Sequence, residues 1–266
     1  MQTGYVDING ATLYYETAGS GEPLIFLHGM GLDCHMWDSQ FDTFTKNYHV
    51  IRYDLRGFGK STLPTGDYAH HNDLYALMQH FGIQKANLVG LSMGGRVIID
   101  FAITYPDAVQ SLTLVDAAVH GYQAKENAST LAVGNAAKEH GAKAANEMWL
   151  KHDLFAPANR QPAVAAQLKK IIDNYSGWHW VNKNPWPPIE PHAIHRVHNV
   201  TAPSLIIVGE LDIPDMLTIA DLLHEKIANS KKIVMQNVGH MPNMEDPVTF
   251  NNHVRAFLST VAPHAG

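Results

Sequence analysis

Gly90-Leu91-Ser92-Met93-Gly94 leaves this chain few folds to choose from. Ala86 to Leu91 is a short apolar run that reads as a buried strand, and Val97 to Tyr105 carries apolar residues at helical spacing. A serine bracketed by glycines between a strand and a helix marks a nucleophile elbow, a turn too tight for bulky side chains two residues before or after it. Gly90 and Gly94 meet that need, and Gly95 adds room. Ser92 can hold the strained backbone only where packing enforces it.

The strands and helices around this turn fill in a pattern. Tyr5 to Ile8 and Thr12 to Thr17 are β-rich runs joined at Asn9-Gly10, a strong hairpin signal. Leu24 to Leu27 reads as a continuous apolar strand ending in His28-Gly29-Met30-Gly31, Phe41 to Tyr48 as a short helix, and Val50 to Tyr53 as the next strand. Leu74, Leu77, Met78 and Phe81 predict a helix over 68–81 with Gly82 as its stop, and Ser111 to Val115 is a further strand. Antiparallel strands followed by alternating strands and helices imply an α/β fold, a mostly parallel twisted sheet with helices on both faces.

After Asp116 the rhythm changes. Ala124 to Leu150 is Ala-rich and helical, Val164 to Asn174 is another helix, and Trp178 to Pro191 is rich in aromatic residues and proline. The next strand is Ser204 to Val208, followed by a helix over 215–227, a strand over 232–235 and a helix over 247–258 opened by Pro247. An insertion of that size between sheet strands reads as a helical cap, residues 118–200, in a core made of 1–117 and 201–266.

Composition restricts the partners. The 266 residues are 45% hydrophobic, enough for one substantial core. A net charge of −6 and the lack of a basic stripe argue against nucleic acid. No run of eighteen apolar residues predicts a membrane span, and the N-terminus lacks the basic and apolar regions of a signal peptide. A lone cysteine, Cys34, excludes an internal disulfide and suits a reducing cytoplasm, the expected location. It reads as a small side chain rather than a catalytic one.

A serine hydroxyl needs an adjacent base, and position must choose among seventeen histidines. His240 follows the last strand, so it falls on the same C-terminal sheet edge as Ser92, where ligands bind in open α/β sheets. His70, His71, His80, His140, His224 and His253 lie on predicted helices and are expected in solvent. The base needs a carboxylate to hold its tautomer. Asp212, after the strand 204–208, is the first choice; Asp116 and Asp215 are its rivals, and Glu210 reads as a loop residue. The backbone amides of Met93 and Met30 are the expected donors to an oxyanion.

Five segments in order resemble the α/β-hydrolase superfamily over nearly the whole chain. They are His28-Gly29-Met30-Gly31, Asp54-Leu55-Arg56-Gly57-Phe58-Gly59-Lys60-Ser61, Gly90 to Gly95, Gly209 to Asp212, and Gly239-His240. The resemblance implies that 54–61 is a structural turn; a phosphate loop would need glycine where Asp54 stands. Small capped esterases, enol-lactonases and carbon–carbon bond hydrolases are the most similar branches and share the Trp37 region. A serine at 92 rather than an aspartate removes the haloalkane dehalogenase and epoxide hydrolase branches. Arg96 is less usual for the pattern, and a structural role is the favoured reading.

The cap supplies Met148, Trp149, Leu154, Phe155, Trp178, Trp180 and Trp186. Some of these bury the cap against the sheet; Trp178, Trp180 and Trp186 are expected to line an apolar cleft whose floor is Met30, Trp37 and Met93. His192, His195 and His198 recur every third residue, yet without carboxylates or cysteines nearby they predict a return loop, not a metal site. No cofactor is expected. The reading that follows is a serine hydrolase of a small to medium hydrophobic ester. The alternatives are cleavage of a vinylogous 1,5-diketone or an enol-lactone by the same triad, and a non-catalytic receptor for an apolar ligand.

Overall fold

In a computed structural model that describes residues 1–124 and 128–261, eight strands form one sheet. They are β1 (Gln2–Ile8), β2 (Ala11–Ala18), β3 (Pro23–Leu27), β4 (His49–Tyr53), β5 (Ala86–Leu91), β6 (Val109–Val115), β7 (Ser204–Gly209) and β8 (Ser230–Met235). Their spatial order is β1-β2-β4-β3-β5-β6-β7-β8. β1 and β2 form the expected hairpin, with Tyr5 opposite Tyr14. Asn9 and Gly10 both take positive φ, 48° and 72°, the turn whose twist suits a two-residue connection. β2 runs antiparallel to β4, and the remaining pairings are parallel.

The apolar strand runs are explained by cover on both faces. Along β3, Leu24 and Phe26 join one hydrophobic cluster while Ile25 and Leu27 join the other; along β7, Leu205 and Ile207 alternate in the same way with Ile206 and Val208. The helices His70–His80, Met93–Thr104 and Pro214–Lys226 send Leu74, Leu77, Val97, Phe101, Ile219 and Leu223 into the first cluster. Asp38–Phe44 and Pro247–Leu258 send Phe41, Phe44, Phe250 and Val254 into the second. A strand buried on both sides has no polar face to alternate with, hence its continuous hydrophobicity.

Between Val115 and Ser204 the chain is helical and irregular, with no strand among the described residues. One helical run spans Ala128–Trp149, broken at Gly141 where φ is 81°. Its expected start at Ala124 runs into residues 125–127, outside the described ones. Pro162–Asn174 follows, buried through Val164, Leu168, Ile171 and Ile172, then the short helix Trp178–Val181. No described helix is long and apolar enough to cross a membrane.

Two expectations need correcting here. His70 and His71 are not solvated: both are buried, with Trp186 edge-on to His70 at a centroid distance of 4.5 Å and Tyr105 beside His71. Helical periodicity in 70–81 gives no hint of a contact made from so far along the chain. His80, His140 and His224 are exposed, as expected.

The segment 54–61 is a turn built on a carboxylate. Asp54 Oδ1 accepts from the Cys34 amide at 2.8 Å, Oδ2 accepts from the Lys60 amide at 2.8 Å, and the Ser61 hydroxyl donates to the Asp54 carbonyl. A Cβ on Gly59 would stand 2.1 Å from that carboxylate, so the glycine is obligatory. Arg56 in the same turn donates twice to Asp73, from Nε at 2.9 Å and from Nη2 at 2.8 Å, with both side chains buried. Breaking such a pair strands a charge in the interior. Asp73→Ala is expected to cost about 3–5 kcal/mol in urea unfolding, and Arg56→Met added to it should recover part of that loss.

Candidate active site

Ser92 follows β5 directly and precedes the helix Met93–Thr104, with φ 54° and ψ −111°. Close packing holds this backbone. A Cβ on Gly90 would lie 2.4 Å from the Gly94 carbonyl oxygen, one on Gly94 2.3 Å from that of Leu27, and one on Gly95 2.5 Å from the Ala117 Cβ. The Ser92 amide donates to Val115 O at 2.9 Å, and the Ser92 carbonyl accepts from the Arg96 and Ala118 amides. These bonds clamp the turn between two strand ends against a strain of about 1–3 kcal/mol.

His240 and Asp212 meet as the sequence predicts. His240 Nδ1 lies 2.7 Å from Asp212 Oδ2, and the two residues are 2% and 7% exposed. Their loops are brought together by glycines: a Cβ on Gly209 would stand 2.1 Å from the Gly239 carbonyl oxygen. Asp212 Oδ1 accepts from the Ile213 amide at 2.7 Å, so both oxygens of the carboxylate are engaged. Glu245 braces the histidine loop by accepting from the Gly239 and Met241 amides. Burial pushes the Glu245 carboxyl up, and the two amides oppose that shift.

Ser92 stands on the same sheet edge and is partly exposed, and among the described residues the side-chain hydrogen bond of His240 is the one to Asp212, not to the Ser92 hydroxyl. In ligand-free sites such bonds are commonly long and tighten on substrate binding. Of the rival acids, Asp215 sits on the helix Pro214–Lys226 and accepts from the Tyr122 hydroxyl. Asp116 is much closer. It follows β6 with φ 41°, is fully buried, accepts from the Gly209 amide through Oδ1, and has a carboxylate oxygen within 4.8 Å of those of Asp212 and of a His240 nitrogen. Burial first, then the Asp212 charge beside it, pushes the Asp116 carboxyl well above the usual range.

The loop His28 to Gly31 is equally constrained. His28 Nδ1 donates to the Gly29 carbonyl at 2.8 Å while Nε2 accepts from the Leu55 amide at 3.0 Å, a neutral ring in one tautomer whose pKa burial pushes down. Trp149 Nε1 donates to Met30 O at 3.2 Å, tying the cap to this loop. Gly31, at φ 70°, leaves room for that indole, which a Cβ would meet at 2.7 Å. Neither the Met30 nor the Met93 amide is used in a backbone hydrogen bond among the described residues.

Comparison with known proteins decides the family. The model of the alpha/beta hydrolase fold matches residues 22–247. The chain belongs to the α/β-hydrolase family. It is 28% identical to 3-oxoadipate enol-lactonase 2 of Acinetobacter baylyi, with 92% of each chain covered. It is 26% identical to the (E)-2-((N-methylformamido)methylene)succinate hydrolase of the same organism, covering 95% of this chain and 96% of that one. An esterase from Rhodococcus sp. superposes with a TM-score of 0.85 at 23% identity, covering 98% of this chain and all of the other.

In this α/β-hydrolase the expected aromatic lining divides. Trp37 does not face the site. It is fully buried, 5.1 Å from the Phe26 ring and 6.1 Å from that of Phe250, because its short helix, Cys34–Trp37, turns it into the second hydrophobic cluster. Trp180 donates from Nε1 to Asn146 Oδ1 and packs on Trp149, a contact within the cap. Trp178 is partly buried, edge-on to His179. Trp186 is 6% exposed and lies under the Arg96 guanidinium, 4.3 Å from the ring centroid. Trp149 is a link to the His28–Gly31 loop that the sequence does not reveal; its indole beside the Gly31 backbone is a tertiary contact with no local pattern.

Groups able to hold a metal are few. His192, His195 and His198 do not converge among the described residues. Glu16, Cys34 and His35 do lie together, but Arg52 takes Glu16 Oε2 through two nitrogens, and burial pushes the Cys34 thiol well above its ordinary pKa. A carboxylate already neutralised and a protonated thiol make a poor donor set.

Proposed function

We propose that this chain is a serine hydrolase that cleaves a small to medium carboxylic ester through an acyl-enzyme on Ser92, with His240 as base and Asp212 as its orienting acid. The observation that carries this reading is the Ser92 backbone, a non-glycine residue at φ 54° held between glycines on the edge where the His240–Asp212 pair also stands. Strain of this kind persists where exposing a nucleophile repays it.

The chemistry follows from those positions. His240 Nε2 takes the proton of Ser92 Oγ as that oxygen bonds to the acyl carbon, and the carbonyl pair moves onto its oxygen. The Met30 and Met93 amides receive this oxyanion, each donor worth about 3–4 kcal/mol in the transition state. On collapse the ester C–O bond breaks and His240 returns the proton to the leaving alcohol. Water then repeats the sequence, releasing the acid and restoring Ser92 Oγ–H. Asp212 holds Nδ1–H toward itself throughout, so that Nε2 faces the serine. The segment 118–200 serves as the lid over this edge.

A second reading keeps every residue and changes the bond to that of an enol-lactone or a vinylogous 1,5-diketone. A relative named as an enol-lactonase supports it. Methyl esters, enol-lactones and ring-fission dienoates should be assayed side by side, with fluorophosphonate labelling of Ser92. Labelling with ester turnover supports the first reading, and fast lactone or dienoate decay with negligible ester turnover supports the second. An unlabelled Ser92 in folded protein defeats both.

A further inference from the structure

Arg96 stands in the first turn of the helix Met93–Thr104, and its amide donates to the Ser92 carbonyl at 3.1 Å, which sets its backbone one turn from the elbow. Long helical side chains lean back toward the N-terminus, here toward Ser92. The guanidinium sits over Trp186, and its Nε is buried without a hydrogen-bond partner. No carboxylate among the described residues lies within ion-pair distance of it. Asp73 is engaged by Arg56; Asp100, a turn further on, acts on Arg96 by its charge without an ion-pair contact, since His120 Nδ1 takes its Oδ2 at 2.7 Å and its Oδ1 has no hydrogen-bond partner.

Other polar atoms around it share this condition. Trp186 Nε1, His70 Nδ1 and His179 Nε2 are all buried without a partner. His70 touches Trp186, and its Nε2 is 3.3 Å from the Tyr68 hydroxyl. His179 stacks on Phe58, which packs edge-on against His28 at the head of the oxyanion loop, so the cluster borders the catalytic edge. Arg Nε–H and Trp Nε1–H can only donate. Arg96 as a whole is only partly buried, but its buried Nε–H and that of Trp186 are costly to leave unused unless an acceptor arrives.

We propose that Arg96, with Trp186 Nε1 and His70 beside it, forms an anion subsite that binds a free carboxylate on the substrate, a few bonds from the ester or lactone carbonyl attacked by Ser92. The substrate class is therefore a half-ester or lactone that carries a second, ionised acid. Burial pushes the Arg96 pKa down to about 10, against the Asp100 charge, so the group remains cationic at neutral pH. This inference rests on the serine-hydrolase reading and specifies its substrate.

The test compares charged and neutral substrates of equal length on the intact chain. Monomethyl succinate, glutarate and adipate, with acetoxyacetate to place the acid on the alcohol side, are set against methyl butyrate, valerate and hexanoate and against methyl acetoxyacetate. In the wild type at least one charged ester should exceed its neutral counterpart about ten- to hundred-fold in kcat/KM. Arg96→Met should bring the charged-to-neutral ratio of kcat/KM to about one or below, and Arg96→Lys should keep part of the preference. Separately, adipate but not adipamide should slow fluorophosphonate labelling of Ser92, in the wild type and not in Arg96→Met. No charged preference and no protection by adipate in the wild type would overturn the subsite even if Arg96→Met fails to fold. An unlabelled Ser92 would instead sink the hydrolase reading.

Discussion

Ser92→Ala is expected to lower kcat/KM about 10⁴–10⁶-fold on whichever ester the wild type turns over, with the fold unchanged. The loss is large because base and acid act only through this oxygen; with it gone, His240 has no proton to take. What remains is binding and the oxyanion amides, whose residual effect over water is about 10³–10⁴-fold. Fold retention follows from the backbone. Alanine at φ 54° and ψ −111° is no more strained than serine, and the Ser92 amide and carbonyl bonds do not involve the side chain. Glycine relieves the strain altogether, so Ser92→Gly should be equally inactive yet melt about 2–8 °C higher than wild type. Turnover with far-UV circular dichroism and a thermal melt on both variants checks this. If Ser92→Ala retained a tenth of wild-type kcat/KM, the nucleophile would lie elsewhere.

The elbow could be read from sequence because its constraint is local: two glycines, a strand before and a helix after leave the backbone one way to run. Strand ends were legible for a similar reason. Parallel strands put their C-terminal ends on one edge, so Ser92, Asp116, Asp212 and His240 had to share it. What the sequence did not disclose are contacts across the fold. Trp37 follows the oxyanion loop in sequence, yet one turn of helix carries it into the core beside Phe250. Helical periodicity places the histidines at 70 and 71 in water; the ring that meets the first of them, Trp186, comes from far along the chain. Sequence favours a structural role for Arg96, and its contact with Trp186 is of that kind; that its Nε has no hydrogen-bond partner is visible only in three dimensions. Local geometry survives in the sequence, whereas the surroundings of a side chain depend on which distant segment folds over it.

Asp212→Asn should lower kcat about 10⁴-fold, and Asp116→Asn should lower it less than about ten-fold, although both carboxyls lie beside His240. The difference lies in what each must supply. Asp212 accepts from His240 Nδ1 at 2.7 Å; an amide rotated to satisfy the Ile213 N–H would present its NH₂ to that nitrogen and favour the wrong tautomer. Asp116 makes no hydrogen bond to His240; its carboxyl is pushed toward the neutral form, and an amide keeps the oxygen for the Gly209 amide without placing a charge beside Asp212. Stability should respond in the opposite sense from rate. A carboxyl whose pKa is raised on folding binds more protons in the native than in the unfolded state, so it costs stability as pH rises above the unfolded value, about 3.9. Asp116→Asn lacks that cost. Its unfolding free energy relative to wild type should therefore increase from pH 4 to pH 7, as read from urea titrations at both. Equal collapse of kcat in the two asparagine variants, with no such pH-dependent gain, would make Asp116 the acid that serves His240.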